Sequence, residues 1–436
     1  MKLDYNPPTI SSHSSLRSEW APELKNKRVL ILGFGREGMD NFLFLRKLFP
    51  TKTIGIADVK YKILNTKYKI QNVKWHLGEN YLEALKKYDV IIKSPGIPFK
   101  ILPKSVIKKI TTQTEIFFNN CLGKIVGITG TKGKSTTSSL IYQMLKRGGL
   151  KVYLVGNIGK PVLNLLFSAK KDDVYVYELS SHQLYNLKKS PQIAVFLNIY
   201  PEHLDYYKNF REYANAKANI VRYQTKNDCL IFNSEDKLVK EFTKESKAKK
   251  IPIRGKYYEL NKAAAKAVGK IFKIPQKIVE KAVREFKPLP HRLELVGKFR
   301  GITFYNDALS TIPETTIAAL DALGGKVETI FLGGFDRGLD FKNLARRILK
   351  SEIKNLILFP TTGEEIWREI VSLKKNNKLR AFLVQNMRDG VKLAYQYTKK
   401  GKICLLSCAS TSFSIFRDYK EKGNLFKKYV KMLAKQ

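Results

Sequence analysis

The chain has 436 residues, 44% hydrophobic and 11% aromatic, which at roughly 150 residues per domain makes about three domains with filled cores and excludes a disordered chain. Lys and Arg number 80 against 38 Asp and Glu, a formal charge of +42, and such a field draws nucleic acid, anionic membrane or phosphorylated substrates. The lysines are spread along the whole chain, with neither zinc-finger spacing nor basic-region heptads, so no specific nucleic-acid partner is expected.

No apolar run approaches the roughly 18 residues of a membrane span. Met1 to Trp20 is polar, and no secretory signal is expected from it. The four cysteines include Cys404 and Cys408 in CxxxC spacing, with no CxxC, and make no disulfide framework. A reduced, cytoplasmic setting is expected.

Residues 1–26 form a loose N-terminal extension, with Pro7, Pro8 and a Ser-rich stretch from Ser11 to Ser18. From there apolar run, glycine turn and helix alternate. Strands are predicted at Arg28 to Leu32, Thr53 to Ala57 and Asp89 to Ile92, a pattern that indicates a parallel sheet covered on both faces. A second unit starts near Gln113. It has strands at Lys124 to Thr129, Val152 to Val155, Asp173 to Tyr177 and Ile193 to Asn198, and helices at Ser135 to Lys146, Asn209 to Tyr223, Asn261 to Gly269 and Gln276 to Phe286. The prolines of Lys287-Pro288-Leu289-Pro290 break any helix there and mark a linker. The third unit runs from about Arg292, with strands at Phe299 to Tyr305, Thr329 to Leu332, Asn355 to Phe359, Ala381 to Val384 and Lys402 to Ser407. The expected organisation is α/β in three domains: 27–112, 113–291 and 292–436.

Two glycine loops carry the chemistry. Gly33-Phe34-Gly35-Arg36-Glu37-Gly38 follows the first strand and fits GxGxxG, whose glycines let backbone approach a diphosphate at a helix N-terminus. Asp58 ends the next strand, where a ribose-binding acid would sit. Taken alone, this turn suits a dinucleotide dehydrogenase, another nucleotide diphosphate such as UDP, or a tight turn that only packs helix on strand. The second loop is Gly130-Thr131-Lys132-Gly133-Lys134-Ser135-Thr136, between a strand and a helix. Its N–H groups can wrap phosphates, Lys134 can neutralise the β- and γ-phosphates, and the Ser135 hydroxyl can ligate Mg²⁺. The strict GxxxxGK[ST] would need glycine where Ile128 stands, so the loop is the shortened form GTxGKST. One diphosphate loop and one triphosphate loop in a single chain imply ATP and a second phosphorylated molecule, which a plain dehydrogenase does not need.

Glu178, at the end of a parallel strand near that loop, suits a Mg²⁺ anchor. His203 follows the next strand, in Asn198-Ile199-Tyr200-Pro201-Glu202-His203-Leu204-Asp205. Lys217 lies in an Ala-rich helix, where composition alone would leave it facing solvent.

Together GTKGKST, GNIG (Gly156 to Gly159), YELSSHQL (Tyr177 to Leu184), LNIYPEHLDYY (Leu197 to Tyr207), NAK (Asn215 to Lys217), LPHRLE (Leu289 to Glu294), YND (Tyr305 to Asp307) and SCASTSFSIFRDYKEKG (Ser407 to Gly423) resemble the Mur ligases. The resemblance runs in family order from about Lys27 onward. It implies a Rossmann-like UDP-binding domain, a central P-loop ATPase-like domain with a parallel sheet, and a Rossmann-like C-terminal domain. The implied activity is ATP-dependent ligation through an acyl phosphate, closest to the branch that adds D-glutamate to UDP-N-acetylmuramoyl-L-alanine. Other Mur-type or folylpolyglutamate-type ligases are the alternatives within the resemblance, and a basic P-loop nucleic-acid-binding protein is the alternative outside it.

By position, the resemblance implies Gly33, Gly35 and Gly38 at the diphosphate and Asp58 toward the uridine, with Asn157, Ser180 and His203 along the muramoyl-alanine arm. Gly130, Thr131, Gly133, Lys134, Ser135 and Thr136 would hold ATP, with Asn261 on the adenine side and Arg292 and Asp307 approaching the nucleotide. Ser135, Glu178 and His203 would hold magnesium. Lys217 would become carbamylated and help place a second ion. Lys134, Glu178, His203 and Lys217 are thus the expected catalytic set. Thr311, Arg337, Ser412 and Tyr419 would surround the incoming glutamate. A monomer is expected.

Several positions depart from the family pattern. Ala308-Leu309 replaces the Ser-Lys that some relatives carry, so a lysine contact is absent there. Tyr257-Tyr258 replaces His-Asn, His182 stands where Phe is common, and about 20 extra residues precede the first strand.

Overall fold

Short apolar runs closed by glycine turns become buried parallel strands, because a strand covered on both faces has no use for alternation. In the computed structural model, residues 24–60, 71–159, 162–203, 206–255, 258–287, 289–373 and 379–435 are described. Most of the N-terminal extension, Leu204, Asp205, Tyr257 and Pro288 lie outside the described residues. The described chain forms two compact units. One runs to Gly255 and resumes over Glu259–Val283; the other comprises Arg284 onward together with Tyr258.

The first unit holds two parallel sheets. The first sheet contains β1 (Val29–Leu32), β2 (Ile54–Asp58), β3 (Val73–Leu77), β4 (Val90–Lys93) and β5 (Ile110–Thr111), in the order β3-β2-β1-β4-β5. The second contains β6 (Lys124–Thr129), β7 (Val152–Gly156), β8 (Val174–Glu178), β9 (Ile193–Phe196), β10 (Cys229–Asn233) and β11 (Lys249–Ile253), in the order β11-β10-β9-β6-β8-β7. One continuous buried cluster joins them, from Val29 and Ile31 through Phe117, Tyr175 and Tyr177 to Phe196 and Leu230. Phe117 stands edge-on to Tyr175 and Tyr177 at 5.1 and 5.7 Å. Cutting such a ring back to alanine costs about 3–5 kcal/mol.

In the second sheet β6 lies between β9 and β8. The loops leaving the carboxyl ends of these three strands are therefore neighbours, although the loop after β6 contacts residues 50 and 69 positions further along the chain. A crevice of this kind, outside the strand ends where the strand order reverses, is where open α/β sheets bind ligands.

The second unit has one sheet of β12 (Glu294–Phe299), β13 (Ile302–Asn306), β14 (Val327–Gly333), β15 (Asn355–Phe359), β16 (Arg380–Leu383) and β17 (Ile403–Leu406), in the order β12-β13-β17-β14-β15-β16. Here the sequence reading needs correction: Phe299 to Tyr305 is not one strand. Arg300 (φ 51°) and Gly301 (φ 83°) make a two-residue turn with both φ positive, and β12 pairs antiparallel with β13 across it. That conformation fits the right-handed twist of a tight hairpin.

Among the described residues no helix is long and apolar enough to cross a membrane.

Candidate active site

The turn after β1 is braced by Asp58. Its Oδ2 accepts the Phe34 N–H at 2.7 Å and its Oδ1 the Lys60 N–H at 2.9 Å. Gly33 has φ +88°, its N–H donates to the Ala57 carbonyl, and its own carbonyl accepts from Ser94 Oγ at 2.8 Å. A Cβ on Gly38 would lie 2.1 Å from the Gly33 oxygen, whereas one on Gly35 would meet nothing within 4 Å. The first closeness locks the turn onto helix Arg36–Leu48; the second leaves open space above its N-terminus. Gly35 caps that helix without a side chain, so the first-turn N–H groups are not taken by a cap and suit an anion. Two side chains tie the turn to the second sheet. Arg36 donates to the Gly159 carbonyl, and Glu37 accepts from Gln183 Nε2 at 3.1 Å. Burial pushes the Glu37 carboxyl up to about 7.

Gly130 (φ +154°) and Gly133 (φ +87°) shape the second loop. Lys134 Nζ donates to the Gly130 and Thr131 carbonyls, each at 2.9 Å. Thr131 Oγ1 lies 2.9 Å from Tyr213 OH and accepts the Tyr200 N–H at 2.9 Å. Asn198 grips the Lys132 peptide at both ends: its Oδ1 accepts the N–H at 2.8 Å and its Nδ2 donates to the carbonyl at 3.0 Å. Ser135 and Thr136 are buried at the start of helix Lys134–Arg147. Asn261 stands against the loop from behind. Its Oδ1 accepts from Thr137 Oγ1 at 3.0 Å, and a Cβ on Gly133 would approach it to 2.6 Å.

Glu178 is fully buried. Asn157 Nδ2 donates to its Oε1 at 2.8 Å, while Oε2 has no hydrogen-bond partner among the described residues. A buried carboxylate oxygen with no donor is costly unless a cation meets it. Ser180 caps the short helix behind it through a capping box with Gln183.

Lys217 is 1% exposed and donates to the Gly130 carbonyl at 2.9 Å. Burial, with Lys134 and Lys132 nearby and only partly offset by Glu202 and Glu178, holds its pKa well below the usual lysine value. The neutral amine is thereby favoured. His203 has φ +59°, and burial lowers its pKa. The His182 ring stands 4.9 Å from it, edge-on, and is itself pushed down to about 3 by burial and the cations around it. Burial alone would raise Glu202, but Lys132, His203 and Lys134 outweigh it and bring its carboxyl down to about 2.

Lys134, Ser135, Glu178, His203, Lys217, Asn157, Ser180 and Asn261 thus belong to strand ends, loops and helices of the unit that holds the second sheet. No group of three or more His, Cys, Asp or Glu among the described residues forms a ready-made metal cage. Mg²⁺, which keeps several waters and takes phosphate oxygens, does not require one. Glu178 Oε2 and the Ser135 hydroxyl suit its preference for oxygen.

The remaining predicted residues lie in the second unit. Asp307 accepts the Leu293 N–H at 3.0 Å and the hydroxyls of Ser310 and Ser407. Burial pushes its carboxyl up to about 6 against those hydrogen bonds and Arg292. Arg337 stands 5.9 Å over the exposed ring of Phe413. Ser412 is buried, with no hydrogen-bond partner for its hydroxyl among the described residues, and Tyr419 stands edge-on to His291. Thr311 is half-buried, five residues past the end of β13.

Sequence reasoning passed over Lys132 and Tyr213. The signal for the first was visible as a second lysine inside the phosphate loop.

The family model of the Mur ligase middle domain matches residues 128–302. The UDP-N-acetylmuramoylalanine--D-glutamate ligase of Acetivibrio thermocellus is 32% identical, over 95% of this chain and 98% of its own length. The chain belongs to the Mur ligase family. The Clostridium botulinum enzyme of the same name is 31% identical over 95% of this chain and 99% of its own length. Among solved structures, the Mur ligase MurF of Thermotoga maritima, solved in complex with ADP, matches with a TM-score of 0.59 at 17% identity, covering 94% of this chain and 97% of that one. At that identity the likeness speaks for the Mur ligase fold alone.

Proposed function

We propose that this protein joins D-glutamate to UDP-N-acetylmuramoyl-L-alanine at the expense of ATP, in the cytoplasmic synthesis of peptidoglycan precursors. The observation that carries the reading is the meeting of three loops around one strand: Gly130–Thr136 after β6, Glu178–Ser180 after β8 and Asn198–His203 after β9. The glycine turn 33–38 lies in the same compact unit. Relatives named for this reaction match along 95% of the chain and support the choice of substrates. In this reading residues 27–112 take the UDP portion, 113–291 take ATP and 292–436 take the amino acid.

A carboxylate does not condense with an amine in neutral water, because its leaving group is too poor. Transfer of the γ-phosphoryl group to the muramoyl-alanine carboxylate releases ADP and leaves an acyl phosphate. The deprotonated amine of D-glutamate attacks its carbonyl, and the tetrahedral intermediate expels inorganic phosphate. Lys134 neutralises charge on the moving phosphoryl group, and the loop N–H groups orient it. Asn157 fixes one oxygen of Glu178, and the other, with no donor among the described residues, would be left for a cation. Ser135, Glu178 and His203 would hold Mg²⁺, which when bound supplies charge neutralisation at the phosphoryl oxygens. Lys217 is suited to carbamylation: a neutral buried amine adds to CO₂ and loses a proton, becoming an anion that can help hold a second ion. Arg337 would pair with a glutamate carboxylate through its planar fork.

The test is phosphate release from ATP with UDP-N-acetylmuramoyl-L-alanine, comparing D-glutamate with L-alanine, L-lysine, diaminopimelate and L-glutamate. Release that depends on D-glutamate is expected. Release that depends on another amino acid, or on none, overturns the assignment.

A further inference from the structure

The phosphate loop carries a lysine two residues before Lys134, and its side chain turns to the neighbouring loop. Lys132 Nζ donates to Glu202 Oε1 at 2.7 Å, and the two side chains are 17% and 14% exposed. The other oxygen, Glu202 Oε2, lies 3.8 Å from His203 Nε2. The Lys132 peptide is held at both ends by Asn198, so the base of this side chain cannot drift. At the far end His203 sits in left-handed backbone, φ +59°, an uncommon conformation for a residue with a Cβ. A continuous line of contacts therefore runs from the phosphate loop through one carboxylate to the imidazole.

We propose that Lys132 is a positioning residue: by anchoring Glu202 it fixes His203 relative to the phosphate loop, where the divalent cation that accompanies the nucleotide is to be met. This rests on the reading that His203 serves the metal–nucleotide site. Without Lys132, the Glu202 carboxylate turns to the other lysine whose charge acts on it, Lys134, and withdraws a group the nucleotide or its metal needs. With Lys132 present, Glu202 is committed and that group stays available. The role differs from direct phosphate binding, for which the Lys132 ammonium would have to leave Glu202.

The experiment uses the full chain with Mn²⁺ as the probe, free Mn²⁺ being followed by electron paramagnetic resonance in the presence of a non-hydrolysable ATP analogue. Lys132→Met should weaken Mn²⁺ binding about 10-fold or more, as loss of a group that orients a metal ligand does. Binding of the analogue without metal should stay within about 2-fold, and Lys132→Arg should keep wild-type Mn²⁺ affinity. Glu202→Gln should weaken Mn²⁺ binding to a similar degree, and the double variant should be no weaker than either single one within about 2-fold, because both break the same line. Unchanged Mn²⁺ affinity in Lys132→Met, an equal loss of metal-free nucleotide binding, or fully additive losses each overturn the proposal. If Lys132→Met melts early because Glu202 is left buried without a cation, Lys132→Met/Glu202→Gln removes that charge and decides alone. Weak Mn²⁺ binding by a well-folded double variant supports the proposal, and wild-type affinity overturns it. D-Glutamate-dependent phosphate release by the wild-type protein reports separately on the assigned reaction.

Discussion

Lys134 is the residue on which removal of one side chain has the most calculable consequence. Its ammonium bonds the Gly130 and Thr131 carbonyls at 2.9 Å each, and in the proposed site it would exchange these for phosphate oxygens when nucleotide enters. A unit charge pair at about 4 Å with an effective dielectric near 20 is worth about 4 kcal/mol. Giving up two carbonyl hydrogen bonds returns about 1 kcal/mol each, which leaves about 2 kcal/mol, or roughly 30-fold, in ground-state nucleotide binding. Loss of one preorganised group facing transition-state charge costs a further ~10²–10³ in kcat. Lys134→Ala should therefore lower kcat/KM for ATP by roughly 10⁴, the product of these two factors. The fold should barely notice, since the hydrogen bonds to Gly130 and Thr131 lie within a loop. The assay is phosphate release with all three substrates, beside calorimetric binding of the nucleotide and a melting curve. Turnover within about 10-fold of wild type, little more than 1 kcal/mol of barrier, would remove Lys134 from the site and the reasoning with it.

Lys217→Ala should lose activity and recover part of it when short carboxylic acids are added to replace the carbamate; a fully active variant that needs no rescue would show that the lysine has no part in the reaction. Gly38→Ala places a Cβ 2.1 Å from the Gly33 oxygen, and relief of that clash, at about 1–3 kcal/mol, opens the turn, so calorimetry should show UDP binding weakened about 10-fold or more; unchanged affinity would remove the turn from the diphosphate site. Asp307 has its folded pKa raised from 3.8 to about 6, so the folded state keeps a proton that the unfolded chain has lost between those values, and stability falls as pH rises through that window. Asp307→Asn should flatten this part of the melting-temperature profile, by at most about 3 kcal/mol at the upper end, and a profile identical to wild type would contradict the burial argument.

What the sequence disclosed depended on how locally each feature is encoded. The strand Lys124–Thr129 and its loop were legible to the residue, because an apolar run, a glycine turn and a helix start stand side by side. The hairpin at Arg300-Gly301 was not, because Arg-Gly is not one of the Asn-Gly or Asp-Gly pairs that signal such a turn, and the paired positive φ values belong to the fold. β10 and β11 were passed over between strong helix signals; their partners are β9 and each other, pairings no local window contains. Lys217 shows the limit most plainly. An Ala-rich helix gives no reason to bury one lysine, and the reason is its carbonyl partner Gly130, 87 residues earlier. Family resemblance supplied that residue, and the fold gave it a physical setting. The Lys132–Glu202 pair, 70 residues apart, needed the fold from the start.

A crystal structure of the protein with UDP-N-acetylmuramoyl-L-alanine and a non-hydrolysable ATP analogue bound together tests the account most directly. It should show the diphosphate of the sugar nucleotide on the N–H groups of residues 33–38 and the triphosphate within residues 130–136, with Lys134 swung off its carbonyls. UDP bound away from the first turn, or the triphosphate away from the second loop, would contradict it.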